Sequence, residues 1–136
     1  MKEMIRHITL AGMLVVSQGA FPAKPLLSDE TASLLVELVR ASLEYDLYNA
    51  RCRGNAASTK TEDSNRLLLF KYRLTVNQVI NYYIGQDDRA EKAAIEQTFL
   101  QKLSSMGGCA LAKKSGLPKQ LDKNYRQLFE QVSNQP

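Results

Sequence analysis

Cys52 and Cys109 are the two cysteines of this 136-residue chain. Sulfur offers two kinds of chemistry here. In an oxidising compartment, two cysteines in a small domain pair as a disulfide. Alternatively, Cys109 follows Gly107-Gly108 at a position where a helix can start, which lowers a thiol pKa and makes it reactive. A reactive thiol needs a base. The only histidine is His7, and no C-x-x-C spacing occurs. A structural Cys52–Cys109 disulfide is therefore the expectation.

The same shortage of histidine excludes other chemistry. Beyond residue 7 the sequence cannot supply a Ser-His-Asp or Cys-His catalytic unit. Two cysteines are also too few for a Cys₄ zinc site. Carboxylates remain. Glu37, Glu44 and Asp46 project from one predicted helix, and Glu91 and Glu96 from a later one. Paired acids can hydrolyse glycosidic bonds, but no motif or aromatic setting accompanies these, and they read as surface acids. No enzyme activity, cofactor or metal is expected.

Cations fall into two groups. Arg51, Arg53, Arg66, Lys71 and Arg73 form one. Lys113, Lys114, Lys119, Lys123 and Arg126 form the other, interrupted by Asp122 and Glu130. Either group can face an anionic partner or simply solvate a helix. The formal charge of +4 is too small to imply nucleic acid by itself, and export argues against it, so no nucleic-acid partner is expected. Tyr82 and Tyr83 are adjacent, so on a helix they point about 100° apart. Tyr83 belongs with Val76 and Ile80 on a core face. Tyr82 lies off it with Asn81 and Gln78, and these three are the candidate partner surface, since tyrosine joins apolar area to a polar tip. A boundary tyrosine packed beneath a neighbouring helix is the alternative reading of Tyr82.

The N-terminus reads as an address. Lys2, Arg6 and His7 precede an apolar run from Ile8 to Val16, followed by the small-residue stretch Ser17-Gln18-Gly19-Ala20. That is the order of a secretory signal. The run is too short to span a bilayer, which needs about 20 apolar residues. Residues 1–20 are thus expected to be a signal peptide, cut between 19 and 24, with no stable membrane anchor. Loss of Lys2, Glu3 and Arg6 leaves a charge of +3.

The rest, 24–136, is expected to be a single helical domain. Ser28 caps a helix from about Asp29 to Arg51, whose stripe is Leu34, Leu38, Ala41, Tyr45, Tyr48 and Cys52. Arg53 to Thr61 is a loop. Asp63 or Ser64 caps a second helix bearing Leu67, Leu68, Leu69, Phe70 and Tyr72. Thr75 to Gln78 has the form of a capping box, opening a helix to Ile84 that Gly85 ends in a left-handed conformation. Asp87 caps a helix from Asp88 to Met106 with the stripe Ile95, Phe99, Leu103 and Met106. Cys109 to Lys114 makes a short turn of helix. Pro118 opens the last helix, with Leu121, Tyr125, Leu128, Phe129 and Val132. No segment alternates with period two.

The fold class is all-α: a small four- to five-helix bundle closed by one disulfide. The expected function is that of an exported, periplasmic or secreted, non-enzymatic helical protein of bacterial type. It binds a protein partner, for example as an immunity, inhibitor or accessory protein, with a homodimer open to it. The alternatives are a cytosolic helical module binding an anionic partner, with free thiols, and a small envelope enzyme using carboxylates.

Overall fold

The structure, a computed structural model, describes residues 24–136. The expected signal peptide and its cleavage site fall largely on residues 1–23 and lie outside the described residues. Six helices follow one another: α1 (Asp29–Cys52), α2 (Thr59–Tyr72), α3 (Val76–Tyr83), α4 (Asp88–Ser105), α5 (Cys109–Lys114) and α6 (Leu117–Ser133). Among the described residues no strand occurs. The break at Thr75 is real, so the bundle has five principal helices plus the single turn and a half of α5.

α1 is the hub. It packs against α2, α3, α4 and α6, which explains why its buried set is wider than one stripe. Leu35, Leu38, Val39, Ala41, Tyr45 and Tyr48 are all buried, and so are the polar Ser42, Asp46 and Asn49. α4 contributes Ile95, Phe99 and Leu103, and α6 contributes Leu121, Tyr125, Leu128 and Val132. These apolar positions recur at helical spacing, so each helix turns one stripe to the hub. α1 and α6 run antiparallel. Tyr45 meets Tyr125 near one end, with ring centroids 6.1 Å apart. Glu30 and Leu34 lie beside Gln131 and Gln135 at the other.

The starts of α1, α3 and α4 follow the sequence. Ser28 Oγ accepts from Thr31 N, Thr75 and Gln78 form the reciprocal capping box, and Asp87 accepts from Arg89 N and Ala90 N. α2 does not. It begins at Thr59, and its N-cap residue Ser58 makes no capping bond. The cap is supplied from α1. Asp46 Oδ1 accepts from Lys60 N at 3.1 Å, and Asp46 Oδ2 accepts from Thr61 N at 2.8 Å and Thr61 Oγ1 at 2.7 Å. Those are the orphan donors of a helix start. Asp46 is thus a buried structural acid, which corrects its reading as a surface residue. Ser64, expected as a cap, is instead buried, its hydroxyl 2.7 Å from that of Ser42.

Two chain reversals also differ from expectation. α2 ends on Arg73 in the left-handed region (φ 57°), with Leu74 N donating to Leu68 O. That is a glycine-type helix stop made without glycine. Gly85, expected to be left-handed, is not. The Glu91 side chain lies against it, at the place where a Cβ would project. On α2 only Ser64 and Leu68 are buried, while Phe70 is 82% exposed.

Candidate functional site

The disulfide sets the local geometry. Cys52 is the last residue of α1 and Cys109 the first of α5. They are joined as a disulfide with Cα atoms 5.4 Å apart, an ordinary separation for the bond. α5 is short, starts after Gly107-Gly108 (φ 94° and 91°) and stops before Gly116 (φ 88°). Both flanks use backbone conformations that favour glycine. The crosslink therefore fixes where this short helix sits against the end of α1.

That placement creates a cleft of about 580 Å³. Tyr45 and Arg53 come to it from the end of α1. Lys113 and Lys114 come from the last turn of α5. Gly116, Pro118, Lys119, Asp122 and Arg126 come from the start of α6. Five cationic side chains thus line the cleft with one carboxylate. The first turn of α6 carries no acidic residue and no side-chain cap, so Asp122 is the one carboxylate in the lining to offset this charge.

Two of the cations are engaged and three are not. Arg126 Nε lies 2.9 Å from Asp122 Oδ2. Asp122 Oδ1 also accepts from the Tyr45 hydroxyl at 3.1 Å. Burial acts to raise the Asp122 pKa. The hydrogen bonds from Arg126 and Tyr45, with the charges of Arg126 and Lys60, outweigh it and leave the carboxyl below its ordinary 3.8. Tyr45 is shifted up, first by burial and then by Asp122. Arg53 donates to Asn49 Oδ1 at 3.0 Å and lies over the Tyr48 ring at 5.3 Å. Lys60 lies over Tyr45 and Tyr125 at 5.4 and 5.2 Å. Lys113, Lys114 and Lys119 are exposed, and none has a hydrogen-bond, ion-pair or ring partner among the described residues.

The two cationic groups of the sequence are therefore re-sorted in space. Arg53 from the first joins four of the second, while Lys123 stays outside the lining. The others have local tasks. Arg66 pairs with Glu62, and Lys71 donates to the backbone carbonyls of Ser133 and Gln135 at the end of α6. Arg51 lies on the other side of the disulfide, beside Gly107 and Gly108.

Compared with known proteins, the chain matches no family model, no curated protein and no solved structure. Chemistry alone must carry the functional reading.

Tyr82, Asn81 and Gln78 lie together on α3, each half-buried. Gln78 Oε1 is occupied by Thr75 N at 2.9 Å. Tyr82 packs against the core edge-on to Tyr83, with ring centroids 6.2 Å apart. Asn81 Oδ1 is shielded from solvent. The five candidate acids are scattered. Asp46 caps α2, Glu37 lies at the far end of the α1–α6 pair, Glu44 is half-buried on α1, Glu91 contacts Gly85 and Glu96 lines the outer face of α4. Among the described residues no three His, Cys, Asp or Glu side chains gather to hold a metal ion.

The cleft was not readable as a unit in the sequence. Lys113, Lys114 and Lys119 were visible as a cluster. Arg53 and Tyr45 join them only because the disulfide and the antiparallel α1–α6 pairing bring distant segments together. The Cys52–Arg53 adjacency was the one available signal.

Proposed function

We propose that this chain is an exported, non-enzymatic helical protein that binds a protein partner, in the manner of an immunity, inhibitor or accessory protein of a bacterial envelope. The disulfide supports export, because such bonds persist in oxidising compartments and are rare in the cytosol. The observation that carries the binding half of the reading is the cleft. It is concave, bounded by a crosslinked frame, and lined by cations of which three have no side-chain partner among the described residues. Catalysis would need a positioned base or nucleophile beside it. The titratable groups in the cleft are lysines, arginines, one tyrosine and an aspartate already held by two donors. A cleft of this kind attracts and orients a charged partner. The Tyr82, Asn81 and Gln78 face is a second surface, but the Gln78 side-chain oxygen already accepts from Thr75 N in the helix cap.

The test is affinity capture with the full, disulfide-intact chain from an envelope extract of its own host. Recovery of one protein in stoichiometric amount, lost on competition with unlabelled chain, supports the proposal. Recovery from cytosolic but not envelope extract contradicts it.

A further inference from the structure

The cleft at the α1–α5–α6 junction has a definite charge, shape and frame, and these say what its occupant must carry. The cleft volume lies within the roughly 300–1,000 Å³ of pockets that accept a small ligand or a few side chains. Its unengaged cations are lysines on two different helices, two on α5 and one on α6. Lysine is a mobile point charge rather than a planar fork. Ammonium groups spread over two walls match several separated carboxylates better than one compact anion. Arg126 is tethered to the wall by Asp122 through Nε, with its side chain otherwise exposed.

Charge elsewhere narrows the choice. The far end of the α1–α6 pair is lined by Glu30 and Glu37, with no cation among its lining residues. Along α1 its acids Glu37 and Glu30 lie about 24 to 35 Å from Arg53 at 1.5 Å per residue. That is several Debye lengths at physiological salt, each about 8 Å. A polyanion tracking along α1 in that direction would leave the five cations of the cleft and reach Glu37 and Glu30, where Lys71 is already held by the Ser133 and Gln135 carbonyls. A lipid plane contacts protruding residues and does not enter a concavity. A short acidic loop does.

We propose that the cleft between Arg53, Lys113, Lys114 and Lys119 receives an acidic segment of a partner protein, carrying two or more carboxylates. This rests on the protein-binding reading above and names the chemistry of its partner. Association is driven by charge and weakens with salt.

The test uses the full chain, ¹⁵N-labelled, expressed through the secretory route with its disulfide intact. It is titrated with a hexaglutamate peptide at low and high salt. Inorganic phosphate and phosphatidylglycerol vesicles are run in parallel. The proposal expects saturable amide shifts at Arg53 and residues 113–126 with the peptide, lost at high salt. The double variant Lys113→Glu, Lys119→Glu weakens binding by about tenfold or more. Its melting temperature is unchanged, because both side chains are exposed. Lys113→Arg with Lys119→Arg retains binding. Shifts spread evenly over Arg66, Arg89 and Lys102, or charge reversal without effect, overturn the proposal. So do tighter binding of phosphate or vesicles than of peptide, and concentration-dependent shifts at the cleft without peptide, which mean a second copy occupies it. A partner captured equally well by the Lys113→Glu, Lys119→Glu variant removes the cleft while leaving the protein-binding reading standing.

Discussion

The carboxylate of Asp46 does what a local cap does elsewhere, from another helix. It is buried and accepts three hydrogen bonds from the first turn of α2. Asp46→Ala removes all three and leaves the amides of half-buried Lys60 and Thr61 without this acceptor. A loss of about 2–3 kcal/mol is expected, combining a lost cap with charge-assisted bonds, read from urea unfolding. Asp46→Asn keeps acceptor oxygen and costs less. Nothing near Asp46 in the sequence points to this role, because its partners lie 14 and 15 positions on. Ser28, Thr75 and Asp87 were readable because their donors are two or three residues away. Tyrosines carry the alkaline response. Burial raises Tyr45, Tyr72, Tyr83 and Tyr125 above the ordinary 10.0. Their neutral forms are favoured in the fold, so this contribution is complete below pH 10.0. It is lost as pH rises from there through the folded values. Tyrosinate absorbance followed with pH is expected to lag in the folded protein relative to the protein in denaturant. Coincident titrations would show that burial does not protect these hydroxyls.

Among the elements, α5 depends most on its crosslink. Six residues are too few for a helix to be stable alone, and both of its flanks are glycines of positive φ. The Cys52–Cys109 bond closes a loop with a separation of 57. Cys52→Ala with Cys109→Ala is expected to cost about 4 kcal/mol on chain-entropy grounds, measured as a shift in the denaturant midpoint. The same variant is expected to bind hexaglutamate more weakly, because Lys113 and Lys114 are no longer held opposite Arg53. Retained affinity would mean that α5 packing alone shapes the cleft. α1, α3, α4 and α6 were readable nearly to the residue from their apolar stripes and start signals. α2 was not. Its dense run Leu67 to Phe70 does not say which side is covered, and Leu69 and Phe70 are exposed. Four consecutive apolar residues point all round a helix, and only the bundle decides which of them are covered. The Arg73 stop was hidden for a similar reason. Glycine is the usual signal for a left-handed terminus, and here an arginine adopts it.

Across the molecule, the cleft at the end of α1 is lined by five cations and one carboxylate, whereas the groove between the first turns of α1 and the end of α6 is lined by Glu30 and Glu37, with Lys71 on the nearby Ser133 and Gln135 carbonyls. A formal charge of +4 does not show where the cations gather. Fold class and crosslink followed from periodicity and from two cysteines without a histidine partner. The cleft required the three-dimensional pairing of α1 with α5 and α6. Both the preferred role and the stability of α5 depend on passage into an oxidising compartment. The most direct measurement is the intact mass of the protein purified from its native host, with and without reduction. Export predicts a chain shortened by 19 to 23 residues at the N-terminus, gaining two hydrogens on reduction. A chain that retains Met1, with both thiols open to alkylation before reduction, would contradict it.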